Sequence, residues 1–184
     1  MSHLNIEFKA KASNLAELES CLLVQQPFYK GTDIQVDTYF NVLKGRLKLR
    51  EGNIENSLIY YEREDSAGTK ASHILLYEHP PNKILKSILT TTHGVKVVVD
   101  KTRKIYFIEN VKFHFDEVKG LGSFVEVEAI DDDGTIGREK LQEQCDYYAA
   151  LLGVKQADYI AVSYSDLLLA LYGLCFNVIY IRTP

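Results

Sequence analysis

Charged residues in this chain recur at every second position in several short runs, the spacing that gathers side chains on one face of an extended strand. In Asn5-Ile6-Glu7-Phe8-Lys9-Ala10-Lys11 the polar set carries both signs, while Leu4, Ile6, Phe8 and Ala10 share the opposite face. Arg46-Leu47-Lys48-Leu49-Arg50 repeats the pattern with bases, and Phe124-Val125-Glu126-Val127-Glu128 repeats it with acids. Bases so arranged donate to phosphate oxygens, arginine often through two parallel bonds. Clustered carboxylates hold hard divalent cations such as Mg²⁺ or Mn²⁺. Together the two sets suit a polyphosphate bound with its metal.

An antiparallel sheet with one solvated face produces the same alternation strand by strand. The clustering of sign argues for more than a wet face. Lys9, Lys11, Arg46, Lys48, Arg50, Lys101 and Arg103 gather on a few strands, and Glu7, Asp116, Glu126 and Glu128 on a few. A solvated surface more often intersperses them.

The elements that must carry these residues follow from periodicity and turn signals. After the first strand, Asn14 can cap a helix with Glu17 at the capping-box position and Leu15, Leu18, Leu22 and Leu23 as its apolar stripe. Gln35 to Asn41, Gly45 to Arg50, Leu58 to Glu64 and Ser72 to Glu78 read as strands separated by turn residues. Pro80-Pro81 opens a short helix that Gly94 ends. Val95 to Glu109, Val111 to Val118 and Ser123 to Ile130 read as further strands, and a helix with Leu141, Cys145, Tyr148 and Leu152 inward follows. About eight strands with helices outside them predict an α+β fold built on an antiparallel barrel, which abolishes sheet edges. A barrel of ~8 strands fills its interior with side chains or encloses one small ligand. Charged faces turned inward predict the second case, because buried charge needs ions or a ligand to complete it.

At 184 residues and 46% hydrophobic, the chain can bury one core within one domain. A formal net charge of -4 speaks against a general nucleic-acid binder. Cys21, Cys145 and Cys175 lack the spacing of a zinc site or a disulfide framework, as suits a reducing compartment. The start, Met1-Ser2-His3-Leu4, carries no secretory signature, so a cytoplasmic location is expected. Leu167 to Ile181 is free of charge, but its fifteen residues fall short of the ~20 of a spanning helix, so it reads as a docked tail and no membrane is expected.

The set of motifs resembles the CYTH superfamily, which includes class IV adenylate cyclases and thiamine triphosphatases. Asn5-Ile6-Glu7-Phe8-Lys9 matches the last two elements of that family's opening Glu-x-Glu-x-Lys, with Asn5 in place of the first acid. Asp37-Thr38-Tyr39-Phe40, Leu47-Lys48-Leu49-Arg50, Tyr60-Tyr61-Glu62-Arg63, Lys101-Thr102-Arg103-Lys104-Ile105-Tyr106, Phe115-Asp116-Glu117-Val118 and Leu121-Gly122-Ser123-Phe124-Val125-Glu126-Val127-Glu128 resemble the cyclase branch in order. The resemblance spans Leu4 to about Leu169, which implies a CYTH-like domain over residues 1–169 and an apolar extension over residues 170–184.

That resemblance implies an eight-stranded antiparallel triphosphate tunnel. It makes Glu7, Glu126 and Glu128 metal ligands, with Asp116 a ligand or a neighbour supporting one. Lys9, Arg50, Arg63, Lys101 and Arg103 would hold phosphates, and Lys9, Arg63 and Lys101 are the expected catalytic cations. Lys11, Arg46, Lys48 and Lys70 are further phosphate candidates that also read as surface bases, and His73 and His114 read as strand residues. Asn5 keeps only an amide oxygen for a metal, and Arg63, where lysine is common, exchanges a point charge for a planar fork. The implied activity is Mg²⁺- or Mn²⁺-dependent chemistry on a nucleoside or other organic triphosphate, with cyclisation of ATP favoured. Triphosphatase action on thiamine triphosphate or tripolyphosphate, and a non-catalytic polyphosphate-binding barrel, are the alternatives. The expected partner is the triphosphate itself, with a second copy of the chain as the protein partner to test.

Overall fold

Residues 2–63 and 69–180 are described by a computed structural model, with side chains over 4–62, at 69 and over 74–173. The strands are β1 (Ser2–Lys11), β2 (Phe28–Phe40), β3 (Arg46–Glu51), β4 (Ser57–Arg63), β5 (Lys70–Glu78), β6 (Val95–Ile108), β7 (Val111–Val118) and β8 (Gly122–Asp131). They close in the order β1-β5-β4-β3-β2-β6-β7-β8, every neighbouring pair antiparallel. Two meanders, β2 to β5 and β6 to β8, join along β2 and β6, and β1 completes the ring between β5 and β8. Closure gives every one of these strands two paired neighbours.

The alternation along β1 decides which way the barrel is turned. Ile6, Phe8 and Ala10 are buried on its outer side with Phe113 and Phe115 of β7, Val125 and Val127 of β8, and Leu22, Leu141, Cys145 and Tyr148 from the helices. The main apolar core therefore lies between the barrel wall and the helices α1 (Leu15–Leu23) and α3 (Arg138–Leu151). Asn14 caps α1 by accepting from the Glu17 amide at 3.3 Å. The helix α2 (Lys83–His93) is capped by Asn82, which accepts from Ile84 and Leu85. It seats Leu89 on Phe40 and Leu49 in a smaller core. Its start lies just beyond Pro80-Pro81, since proline disfavours helical geometry in the residue before it.

The helix α4 (Tyr164–Tyr180) stands over one end of the barrel. Val118 and Phe124, paired with Lys101 and Asp116 and so facing inward with them, pack there with Tyr39, Val97 and Val99 against Tyr164 and Leu168. The interior is thus apolar at this end and charged beyond it. α4 runs without a break across residue 169, where the sequence pattern suggested an extension. Among the described residues no helix is long and apolar enough to cross a membrane.

One strand differs in extent from the sequence reading. β2 begins at Phe28 rather than Gln35, because the register shifts between Tyr29 and Gly31, where φ is 140°. Glycine adopts that angle without strain, and the bulge breaks the alternation that would reveal the strand.

The outer core predicts where stability resides. Phe113→Ala, which empties a fully buried site, should cost about 3–5 kcal/mol in urea unfolding. Leu75→Ala, at a position 57% exposed, should change it by less than about 0.5 kcal/mol.

Candidate functional site

The barrel encloses a cavity of about 760 Å³. Its lining is asymmetric. One arc carries Asn5, Glu7 and Lys9 of β1, Glu126 and Glu128 of β8, Lys112 of β7, Lys101 and Arg103 of β6, Asp37 of β2, and Lys48 and Arg50 of β3. Among the described residues the facing arc, from β4 and β5, carries Ile59, Tyr61, Ile74 and Leu76, with Ser57 and Glu78 paired at one end. His79, Pro80 and Pro81 lie in the connection to α2 and line the rim.

The positive part of the charged arc centres on Asp37. Lys101 Nζ donates to Asp37 Oδ2 at 2.6 Å, Lys48 Nζ to the same oxygen at 3.2 Å, and Arg50 Nε to Oδ1 at 3.0 Å. Burial opposes the charged carboxylate, but Arg50, Lys101 and Lys48 overcome it and hold Asp37 well below the usual carboxylate range. Asp37 and the Glu55 carboxylate on Arg50, which also holds Lys112, do not balance the four bases gathered here. Burial, followed by repulsion from Arg103, Arg50 and Lys48 that Asp37 only partly offsets, pushes Lys101 down to about 7. An arriving polyanion supplies the negative charge this corner lacks.

A second interior acid reaches the bases from a turn. Asp33 accepts the backbone N–H groups of Ile54 at 2.8 Å and Glu55 at 3.0 Å, wrapping the β3–β4 connection around its carboxylate. The approach is so close that a Cβ on Gly52 would lie 2.5 Å from Asp33 Oδ1, which is why glycine stands there. The wrap aims Glu55 inward, where it accepts from Arg50 at 2.9 Å and Lys112 at 2.6 Å.

The negative part of the arc lies across β1, β7 and β8. Arg103 donates to Asp116 through Nε at 2.7 Å and Nη2 at 2.6 Å, a two-bond fork, and through Nη2 to Glu126 at 2.9 Å. Tyr164 of α4 donates to Asp116 at 2.8 Å, and Lys9 donates to Glu126 at 2.8 Å. Against the pull of burial, Lys9, the bond from His114, and Arg103 hold Glu126 well below the usual range. Glu128 is less well matched. The register sets it opposite Glu7, and burial, then repulsion from Glu126 and Glu7, pushes it up to about 7. His114 is fully buried with Nδ1 toward Glu126 and Glu128, and burial with Arg103 and Lys112 lowers it to about 3, so it is neutral.

These oxygens fit a hard divalent cation. Glu7, Glu126 and Glu128 face one interior, and Asn5 Oδ1, buried there, has no hydrogen-bond partner among the described residues. An amide oxygen beside carboxylates is a usable ligand for such a cation.

Of the residues singled out in the sequence, Glu7, Lys9, Arg50, Lys101, Arg103 and Glu126 are buried and line one cavity. Glu128 lines it half-buried, and Asp116, fully buried, lies behind Arg103. Lys11 is exposed at the strand end and does not line it. Arg46 pairs with Asp166 of α4 at 2.8 Å, and Lys48 joins the Asp37 cluster. The side chains of Arg63, Lys70 and His73 lie outside the described residues. Sequence reasoning missed the roles of Asp37, Glu55, Lys112 and Tyr164, and read His114 only as a strand residue. The alternation Lys112-Phe113-His114-Phe115-Asp116 was a signal for two of them, whereas Glu55 sits in a turn without periodicity.

A family model described as the CYTH domain matches residues 3–164. Among curated proteins none matches the chain. A structure of a protein from Pyrococcus horikoshii OT3 is 24% identical, covering 89% of this chain and 98% of its own, with a TM-score of 0.76. A Vibrio parahaemolyticus protein named as a candidate adenylate cyclase is 18% identical over 91% of this chain and 99% of its own, with a TM-score of 0.71. A candidate adenylyl cyclase from Hippeastrum, described as having a dominant triphosphatase activity, is 16% identical over 93% and 96% of the two chains, with a TM-score of 0.60. At these identities the likeness speaks for the fold.

Two outcomes follow from the charge balance. Between its ordinary 4.5 and about 7, folded Glu128 keeps a proton that the unfolded chain releases, so its contribution to stability falls as pH rises through that window. Glu128→Gln should therefore melt above the parent at pH 8, by the equivalent of about 1–3 kcal/mol, and show no gain at pH 4. Asp37→Asn strips three cations of their shared counter-charge and should cost about 3 kcal/mol. Millimolar tripolyphosphate should then raise its melting temperature more than the parent's, as read by differential scanning fluorimetry.

Proposed function

This chain belongs to the CYTH family, and from that premise we propose that it is a metal-dependent enzyme acting on an organic triphosphate, a nucleoside triphosphate above all. Members of the family are typically enzymes of adenylate cyclase or triphosphatase type and generally require a metal. The observation that carries the reading is the division of one cavity into a cation-rich corner, an acid-rich corner and an apolar wall. Tripolyphosphate alone has no use for Ile59, Ile74 and Leu76, whereas a base or other organic group can pack on them while its phosphates reach the charged arc.

In this reading Arg50, Lys101 and Arg103 grip the phosphate chain, with Lys9 beside Glu126 and Lys48 beside Asp37 adding charge at either side. Arg50 and Arg103 are held by Asp37 and Asp116, so their forks are pre-set before the substrate arrives and little order is lost on binding. Their role in the transition state is to neutralise charge that builds on phosphoryl oxygens in a space screened from bulk water. Glu7, Glu126 and Glu128 are the residues to hold the divalent ion, which, when bound, polarises phosphoryl oxygens and steadies the leaving group. Asp116 positions Arg103 and is itself held by Tyr164. Arg63 stays a proposed phosphate ligand on its motif alone.

Attack by the ribose 3'-oxygen on the α-phosphorus, with loss of pyrophosphate, is the favoured reaction because the ordered motifs resemble the cyclase branch. Attack by water on the terminal phosphorus would use the same cations. The test is incubation of pure protein with ATP, thiamine triphosphate or tripolyphosphate, each with Mg²⁺ or Mn²⁺, followed by chromatography. Cyclic AMP with pyrophosphate is expected, orthophosphate would reassign the reaction to hydrolysis, and no turnover of any substrate defeats the proposal. Glu126→Gln should lower any turnover by about 10–100-fold, in line with loss of a group supporting metal-bound chemistry.

A further inference from the structure

Resting on the triphosphate reading above, we propose that Gln35, Arg50 and Lys112 form a phosphoryl subsite whose place the Glu55 carboxylate holds until the ligand displaces it. Donors from three strands converge on that one carboxylate. Lys112 Nζ of β7 donates to Oε1 at 2.6 Å, while Arg50 Nη1 of β3 at 2.9 Å and Gln35 Nε2 of β2 at 3.1 Å both donate to Oε2. Three donors thus share two oxygens. A terminal phosphoryl group brings three acceptor oxygens and a larger charge, so each donor gains an oxygen of its own.

Glu55 is the acid placed to leave. Arg50 turns one edge to Asp37, with Nε at 3.0 Å and Nη2 at 3.3 Å, and gives Nη1 to Glu55. Among the described residues Asp37 is held by three bases with its side chain 2% exposed, whereas Glu55 is held by two and is 14% exposed at the rim. An anion arriving from solvent therefore meets Arg50 on the Glu55 side. The backbone of the turn stays where it is. Asp33 accepts from the Ile54 and Glu55 amides, Asn53 bonds Thr32 and Ile34, and Asn56 bonds Gly52, so the exchange is a rotation of one side chain. Lys30, exposed at the same rim, has its Nζ 5.8 Å from the Phe107 ring, as Lys112 does, which leaves a cation near the displaced carboxylate.

The site thereby contains its own competitor. A carboxylate tethered beside its donors competes at a high effective concentration. It keeps Arg50 and Lys112 from repelling one another in the empty barrel and takes the donors back as the ligand departs. Arg50 spans the subsite and the Asp37 corner, so linked phosphoryl groups run from one to the other along a single guanidinium. Glu55 sets the affinity of that grip and hastens release.

Tripolyphosphate is the probe, its binding to the full-length protein in EDTA followed by calorimetry and its position read from a crystal structure with the unsubstituted chain. Glu55→Gln should bind at least about tenfold tighter than the parent and Lys112→Met at least about tenfold weaker. Within Lys112→Met, adding Glu55→Gln should gain less than about threefold, because the subsite is already broken. Glu78→Gln, which removes a rim acid outside the subsite, should stay within about twofold of the parent. In the complex a phosphoryl group should stand within hydrogen-bond distance of Gln35, Arg50 and Lys112 with Glu55 turned away, a readout that decides even where a variant folds poorly. Bound tripolyphosphate with Glu55 still on Arg50 and Lys112, or equal gains in Glu55→Gln and Glu78→Gln, overturns the inference and leaves the triphosphate reading standing. No binding of tripolyphosphate or ATP, with or without Mg²⁺, overturns it together with the reading on which it rests.

Discussion

A charge removed from water is stable only beside its opposite, and this barrel places its charged strand faces inward. Asp37 gathers Lys48, Arg50 and Lys101, Glu55 bridges Arg50 and Lys112, and Glu126 lies between Lys9 and Arg103. Each acid holds bases that would otherwise repel one another across the cavity. The balance is local and incomplete. Positive charge is in excess around Asp37, and Glu128 stands against like charge, which is what a polyanion and a metal ion require of the same space.

Turning the charges inward forces the apolar core outward. Ile6, Phe8, Val125 and Val127 face α1 and α3 rather than one another across the lumen. The helices therefore supply the core that the barrel interior does not. α4 has a double role: Tyr164 and Leu168 seal the apolar end, while the Tyr164 hydroxyl reaches Asp116 and Asp166 binds Arg46. The packing that closes the cavity also steadies the acid that orients Arg103.

The cavity is organised by opposition as much as by charge. Ile59, Ile74 and Leu76 face the ion pairs from the other side, so a guest with one charged and one organic end has a preferred direction. The turn wrapped on Asp33 stiffens the rim at Glu55, and the proline pair before α2 limits the freedom of the facing rim.

Strict alternation in β1, β3 and β8 was enough to read the strand type, the barrel class and the set Glu7, Lys9, Arg50, Glu126 and Glu128, because a strand's side chains must alternate whatever surrounds them. The cap at Asn14 was readable for the same reason: its partner is three residues away. Register and closure were not. Glu7 meets Glu128, and Lys101 meets Asp37, only when strands distant in sequence are set side by side, and a slip of one residue would turn each face about. The bulge at Gly31 hid the start of β2, the turn on Asp33 hid Glu55, and Lys11 shares a face with Lys9 yet ends beyond the wall in solvent. Local sequence thus determined which side chains share a face, since that depends on backbone geometry alone. Only the tertiary structure decided which faces enclose the cavity and which charges meet there, since that depends on contacts no single segment contains.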